Sequence, residues 1–157
     1  MTPDDIKQLS IEMIEFIWNR GELRRMADFL AADYVEHRPE GDVEGLEAFG
    51  QLVSVMREAY PDFRVELHEI MADDPFVACN YVANGTMRGE LGAIKATGRP
   101  MRLEGTYLGR VEGDTIAEGW NRFDMLGVMM QLGVLSPPRA AQDLSEYLAT
   151  QQSTRPA

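Results

Sequence analysis

A β-hairpin followed by a short helix, over residues 97–135, is the stretch that most constrains how this chain folds. It reads TGRPMRLEGTYLGRVEGDTIAEGWNRFDMLGVMMQLGVL. Its first half alternates apolar with polar side chains, and this period of two predicts a strand with two unlike faces. Gly113 supplies the positive φ that a tight turn requires, so residues 115–123 are predicted to return as a second strand. The apolar face of the first strand comprises Met101, Leu103, Tyr107 and Val111.

The sequence of the return strand predicts one face with small and polar side chains. Ile116 and Trp120 are expected on one side, and Ala117, Gly119 and Asn121 on the other. A phenol at 107 and an amide at 121, on a hairpin otherwise suited to burial, indicate the lining of a pocket. They share a face if the turn is a three-residue loop and not if it is a two-residue loop.

Asp124 follows the hairpin and is predicted to be the N-cap of a helix over residues 125–132, which Gly133 ends. A catalytic role for this carboxylate is the alternative to the cap.

The rest of the chain predicts helices first and strands afterwards. Helices are expected over residues 2–21, 22–30 and 46–60, the last ended by Pro61, and strands over residues 63–68 and 76–87. Residues 33–37 are expected to lead into an irregular loop over 38–42, which contains Pro39 and Gly41. Three helices followed by four long strands predict an α+β fold with the helices on one face of a curved antiparallel sheet. One domain is expected over residues 1–136, with residues 137–157 as a weak helix and a disordered tail.

Composition excludes several classes of partner. The net charge of -11, without a basic cluster, argues against nucleic acid and anionic membranes. No apolar run approaches the roughly 20 residues of a membrane span. The single cysteine, Cys79, allows no intrachain disulfide, and the acidic start lacks the pattern of a signal peptide. A cytoplasmic protein is therefore expected.

The motifs leave metal-free acid–base chemistry as the best-supported class. The two histidines, His37 and His68, lie 31 positions apart and form no metal-binding spacing, and no phosphate-binding glycine motif occurs. Tyr107 and Asn121 are candidate pocket groups, each with the alternative of a hydrogen-bonded core residue. His37 is interpreted as a surface loop residue unless its loop closes over the pocket. Glu36, Glu104 and Glu118 are interpreted as surface charges.

The C-terminal half resembles the SnoaL-like polyketide cyclases, or ester cyclases, of the nuclear transport factor 2-like superfamily. The resemblance is carried by a G-E-L-G loop at 89–92, T-G-R at 97–99, R-V with a G-D turn at 110–114, I-A-E-G-W at 116–120, D-M-L-G at 124–127 and Q-L-G at 131–133. It implies a cone-shaped curved antiparallel sheet whose open side the N-terminal helices close around a cavity. It also implies oligomers formed through the outer face of the sheet.

The same resemblance implies an enzyme that closes a ring by intramolecular aldol chemistry, with no metal and no cofactor. The positions of the family's carboxylate base and histidine fall on Asn121 and Tyr107, and an amide cannot act as a base. Two functions are therefore expected: proton transfer on a small apolar carbonyl or polyketide-like compound, or binding of such a compound without catalysis. The candidate bases are His37 and Asp124, and the predicted pocket lining is Trp18, Met56, Tyr60 and Phe123. Because the strands are apolar on both faces, a homodimer or larger homo-oligomer is also expected.

Overall fold

A single six-stranded sheet organises the molecule, and its spatial order is β2-β1-β6-β5-β4-β3. The computed structural model describes residues 1–136, 139, 142–146 and 149. The strands are β1 (Leu30–Arg38), β2 (Gly41–Glu44), β3 (Arg64–Asp73), β4 (Phe76–Thr86), β5 (Pro100–Glu112) and β6 (Thr115–Phe123). All neighbouring strands are antiparallel except β1 and β6, which are parallel.

Helices cover the concave face of the curved sheet. Helix α1 (Pro3–Met13) begins at Thr2, whose hydroxyl and backbone form a reciprocal capping box with Asp5. The helix predicted over residues 2–21 continues from α1 as a π-helix over Ile14–Asn19. The helix predicted over residues 22–30 is a 3₁₀-helix over Leu23–Asp28. Helix α2 is Gly45–Ala59, and α3 is Met125–Gln131. This arrangement confirms the predicted α+β cone.

The apolar core lies between the helices and the sheet. Its fully buried members come from both layers, so each layer covers the apolar face of the other. They include Ile6, Ile17, Leu30, Tyr34, Phe49, Val53, Tyr60, Val77 and Ile116.

Strands β1 and β2 correct the predicted loop over residues 38–42. Only residues 39 and 40 form a turn, and β1 extends from Leu30 to Arg38. The reason is a long-range interaction: β1 pairs with β6 through His37 and Trp120, which are 83 positions apart, and with β2 on its other side. Pro39 and Gly41 predicted a break in regular structure here but carried no information on the strand partners.

The β5–β6 hairpin has a two-residue turn, because Glu112 pairs with Thr115. A bulge at Ala117 then adds one residue to β6, so that Arg110 pairs with Glu118. As a result Tyr107 and Asn121 are direct partners on the concave face, although a two-residue turn was expected to separate them. The bulge also makes the predicted pairing of faces wrong: Ile116 is buried inside, whereas Trp120 lies on the outer face against His37.

The predicted C-terminal extension lies largely outside the described residues. Residues 142–146 are helical, whereas Tyr147, Leu148 and the predicted tail over 151–157 lie outside the described residues. Across the described residues, no helix has both the length and the apolar character needed to cross a membrane.

The cap of α3 gives a first test. The Asp124 carboxylate accepts a 2.8 Å hydrogen bond from the Gly127 backbone N–H, as predicted for an N-cap. Asp124→Ala should lower the free energy of unfolding by about 1 kcal/mol in urea denaturation, because a helix N–H loses its acceptor. Asp124→Asn is the matched control and should retain most of that stability. An equal loss in both variants would contradict the cap.

Candidate functional site

An apolar cavity with a polar wall lies between the helices and the concave face of the sheet. The cavity volume is about 60 Å³. The cavity is therefore narrow. It is lined by Ser10, Met13, Ile14, Trp18, Glu36, Arg38, Met56, Phe63, Val65, Leu67, Cys79, Tyr81, Ala83, Leu103, Tyr107, Asn121 and Phe123.

Glu36 is the carboxylate of this cavity, and its interpretation as a surface charge was wrong. Its residue is only 2% exposed. The cause is its place in β1: alternate residues of a strand face the same side, so Tyr34, Glu36 and Arg38 all face inward. In the sequence, the polar residues alternate as Y-x-E-x-R at 34–38. This alternation indicates a shared face only once the segment is known to be a strand.

Burying the Glu36 carboxylate is possible because its neighbours are hydrogen-bond donors. The Arg38 guanidinium donates to Oε1 over 2.8 Å, and the Asn121 amide donates to the same oxygen over 3.3 Å. The Tyr34 hydroxyl donates to Oε2 over 3.0 Å. These contacts offset the desolvation cost of a buried charge, which an unpaired carboxylate would pay in full.

Arg38 connects the cavity with the β1–β2 turn. Its side chain is 11% exposed, lies within 3.6 Å of a Glu40 carboxylate oxygen, and stacks on the Phe123 ring at 4.8 Å from the centroid. Its second terminal nitrogen, Nη2, makes no hydrogen bond with any residue that the structure describes. One guanidinium donor therefore stays available next to Glu36.

The orientation of the Asn121 amide follows from its two neighbours. The Glu36 carboxylate is paired with Arg38 and accepts hydrogen bonds, so Nδ2 must face it. The Tyr81 hydroxyl donates to Oδ1 over 2.7 Å. Among the described residues only one of the two Nδ2 hydrogens has an acceptor, so the second is a donor that the cavity can use.

Tyr107 lines the cavity and contacts Tyr34 behind it, with 3.2 Å between the two hydroxyl oxygens. Burial raises the pKa of Tyr107 far above its ordinary value, and the nearby Glu36 charge adds to the effect. Burial likewise raises the pKa of Tyr34, with further contributions from Tyr107 and Glu36. Both phenols are therefore neutral donors at physiological pH.

Two glycines provide the space for these rings. A Cβ at Gly119 would lie 2.5 Å from the Tyr34 hydroxyl and 2.6 Å from the Tyr107 hydroxyl. A Cβ at Gly105 would lie 2.5 Å from the Tyr81 ring and hydroxyl. The phenols thus lie directly against bare backbone, which fixes the positions of their oxygen atoms.

The structure brings together only some of the predicted site residues. Trp18, Met56 and Phe123 line the cavity with Tyr107 and Asn121. Tyr60 is buried in the core and is not among the lining residues. Asp124 is exposed and caps α3, so it does not reach the cavity.

His37 is on the outer face of the sheet because it alternates with Glu36 in β1. Its ring lies between two carboxylates, with Nδ1 2.9 Å from Asp42 and Nε2 3.0 Å from Glu118, and it stacks on Trp120. The sheet separates it from the cavity, so it cannot reach a substrate there. Hydrogen bonds to Glu118 and Asp42 raise the pKa of His37 above its ordinary value.

Metal ligands are not grouped in the part of the chain that the structure describes. There, no cluster of three or more His, Cys, Asp or Glu side chains is arranged to hold an ion. The cavity thiol, Cys79, has its pKa raised to about 11 by burial, so it is protonated at neutral pH.

Comparison with known proteins matches residues 8–132 to the family model of SnoaL-like polyketide cyclases. Aklanonic acid methyl ester cyclase DnrD of Streptomyces peucetius is 30% identical over 123 residues, which cover 74% of this chain and 83% of the relative. The cyclase of the same description from Streptomyces sp. (strain C5), DauD, is also 30% identical over 123 residues, 74% of each chain.

Solved structures show the same fold. AclR of Streptomyces galilaeus, a candidate hydroxylase, superposes with a TM-score of 0.78 at 24% identity, covering 97% of this chain and 96% of its own. IdmH of Streptomyces antibioticus, a candidate polyketide cyclase, gives a TM-score of 0.71 at 24% identity, with 80% and 96% covered. At 24% identity the likeness shows a shared fold and does not indicate a particular reaction.

The His37 cluster predicts a pH-dependent stability. Because the folded pKa of His37 is raised, the folded protein holds the proton more tightly than the unfolded chain does. The resulting stabilisation is complete below about pH 6.5 and is lost as the pH rises through the folded pKa. His37→Gln should therefore lower the free energy of unfolding more at pH 5.5 than at pH 9.

The comparison is made by urea denaturation at both pH values. The matched control is His68→Gln, which removes an exposed histidine on β3 and should leave the pH dependence of wild type. An equal effect of His37→Gln at both pH values would contradict the ion-pair assignment.

Proposed function

The chain belongs to the SnoaL-like polyketide cyclase family, and from this premise we propose that it is an enzyme that transfers protons on a small, largely apolar carbonyl compound without a metal. The observation that carries the proposal is the buried Glu36 carboxylate in the wall of an apolar cavity, in contact with Asn121. A titratable group in such a cavity is the component that general acid–base catalysis requires.

The base is assigned to Glu36 in place of His37 and Asp124, which lie outside the cavity. Each carboxylate oxygen can accept two hydrogen bonds. Oε1 has two donors, Arg38 and Asn121, whereas Oε2 has one, Tyr34. The unused acceptor site is therefore on Oε2, and this atom would remove a proton from the carbon next to a substrate carbonyl.

The enolate formed by that proton transfer needs donors for its oxygen. The second Nδ2 hydrogen of Asn121 and the Nη2 group of Arg38 are both beside Glu36 and free of protein partners among the described residues. Donors held in a dry site stabilise developing negative charge more strongly than water does. Asn121 thus acts as an oxyanion donor at the position where the family resemblance places a carboxylate.

The substrate class follows the names of the relatives, which are cyclases of aklanonic acid methyl ester. The proposed reaction is an intramolecular aldol addition. A carbon loses its proton to Glu36, the carbanion forms a bond with a second carbonyl carbon of the same molecule, and the resulting alkoxide takes up a proton. The narrow cavity must widen for such a compound, and the flexible Met13 and Met56 side chains in its wall would permit this.

The second candidate function is binding without turnover. It is favoured by Asn121 and Tyr107, which stand where the resemblance places the base and the histidine. In this case Glu36 and Arg38 would fix the orientation of a bound carbonyl compound, and no bond would change.

Replacement of Glu36 separates the two functions. With aklanonic acid methyl ester as the probe, wild type should catalyse ring closure and should exchange the acidic carbon-bound hydrogen for deuterium. Glu36→Gln should lower both rates by about 10²–10⁴-fold, because the base is removed while the size of the side chain is kept. Mass spectrometry and chromatography measure the two rates.

Glu104→Gln is the matched control, because it removes an exposed carboxylate from β5 and should leave both rates within about twofold of wild type. Tight binding by wild type with neither ring closure nor exchange would support the binding function. If Glu36→Gln closes the ring and exchanges deuterium at the wild-type rates, the base is a different group.

The outer face of the sheet supports the expected homodimer. Met71, Phe76 and Leu108 are 67%, 41% and 38% exposed on this face. Apolar side chains on an uncovered sheet face favour association with a second sheet. Sedimentation should give about twice the chain mass of 17.6 kDa, and Leu108→Lys should return the mass to that of one chain. A wild-type mass of one chain would contradict the dimer.

A further inference from the structure

Tyr34 is a buried phenol that the proposed function leaves without a role. It is 0% exposed and does not line the cavity. Its hydroxyl nevertheless lies between the Oε2 atom of Glu36, at 3.0 Å, and the hydroxyl of Tyr107, at 3.2 Å. Tyr34 therefore connects the assigned base with a phenol that does face the cavity.

The direction of this chain of hydrogen bonds is fixed by the carboxylate. A phenol has one hydrogen to donate, and a carboxylate can only accept. Tyr34 must therefore donate to Glu36, and its oxygen is left to accept from Tyr107. While Glu36 is a carboxylate, the hydrogen of Tyr107 points away from the cavity.

We propose that Tyr107, Tyr34 and Glu36 form a relay whose direction reverses when Glu36 takes a proton from the substrate, so that Tyr107 becomes the acid that protonates the alkoxide. This inference rests on the proposed acid–base function of Glu36. It gives Tyr107 a catalytic role as the acid and Tyr34 a positioning role, since Tyr34 acts only through its two neighbours.

The relay balances within one turnover. The substrate carbon gives its proton to Oε2 of Glu36 and the carbanion forms the new carbon–carbon bond. Tyr107 then gives its proton to the alkoxide, Tyr34 gives its proton to Tyr107, and Glu36 gives the proton on Oε2 to Tyr34. The substrate loses one proton and gains one, and all three side chains return to their starting states.

The surroundings hold the relay in place. Gly119 leaves just enough space for the hydroxyls of both tyrosines, and the Tyr34 ring packs edge-on against Phe49 with 5.3 Å between centroids. Neither oxygen can therefore move far from its partner. The high pKa values of both phenols keep their hydrogens in place for the relay.

The reversal can be tested without turnover, because Glu36→Gln reproduces the protonated base. Arg38 and Asn121 both donate to the side of Oε1, so the introduced amide oxygen will face them and its NH₂ group will face Tyr34. Tyr34 must then donate to Tyr107, and Tyr107 must donate into the cavity. The probe is the naphtholate form of 2-naphthol, whose fluorescence reports its binding.

Glu36→Gln should bind the naphtholate, and adding Tyr34→Phe should weaken that binding by about tenfold. The same Tyr34→Phe substitution in the wild-type background should change binding by less than about threefold, because Tyr107 does not donate into the cavity there. Tyr60→Phe, in another fully buried tyrosine away from the cavity, is the matched control and should have no effect in either background. Circular dichroism checks that every variant is folded.

An effect of Tyr34→Phe that is equal in both backgrounds would overturn the relay, and so would a lack of naphtholate binding by Glu36→Gln.

A kinetic experiment tests the same roles with aklanonic acid methyl ester as the substrate. Tyr34→Phe and Tyr107→Phe should each slow ring closure by at least about tenfold, while deuterium exchange at carbon stays within about threefold. Exchange lost together with ring closure would contradict the assigned roles. Wild type could neither exchange deuterium nor close the ring, while Tyr34→Phe still weakens naphtholate binding only in the Glu36→Gln background. In that case the proposed function fails and the reversal of the hydrogen bonds is upheld.

Discussion

The ion pair between Glu36 and Arg38 is the interaction on which the site depends, because both groups are almost completely removed from water. A buried carboxylate is costly by itself, and the cost falls only when a cation and further donors surround it. The parallel pairing of β1 with β6 and the alternation of side chains within β1 together provide those donors. It places Glu36 next to Asn121, and the alternation within β1 places Arg38 and Tyr34 on the same side. The chemistry of the cavity is therefore a consequence of one strand pairing between distant parts of the chain.

Local patterns were sufficient for most of the fold. The β5–β6 hairpin, helix α2 and the capped helix α3 were predicted because periodicity, turn glycines and an N-cap residue depend only on residues that are close in sequence. The same patterns failed at β1, whose strand character comes from partners on both sides. Glu36 was misassigned for that reason, since a carboxylate in a segment with no assigned strand has no predicted face. The Ala117 bulge escaped prediction too, because one extra residue leaves no periodic signal in so short a strand.

Residues of the cavity wall could be predicted where only the face of a strand was needed, and not where contact with a distant neighbour was needed. Tyr107 and Asn121 were found from the alternation of the hairpin and its resemblance to a known family. Tyr34 and Arg38 were not considered, because their importance comes from contact with Glu36. His37 was selected for its titration range, yet it differs from Glu36 by a single position and so lies on the opposite side of the sheet.

The 3.3 Å contact between Glu36 and Asn121 has a consequence for how such a site changes over generations. An acid at both positions would place two like charges side by side, so that they would have to share one proton and would titrate as a pair. An amide at both would remove the carboxylate that is proposed as the base. Under that proposal the two positions cannot vary separately, because moving the carboxylate from one strand to the other passes through a pair that shares one proton or through a pair of amides without a base.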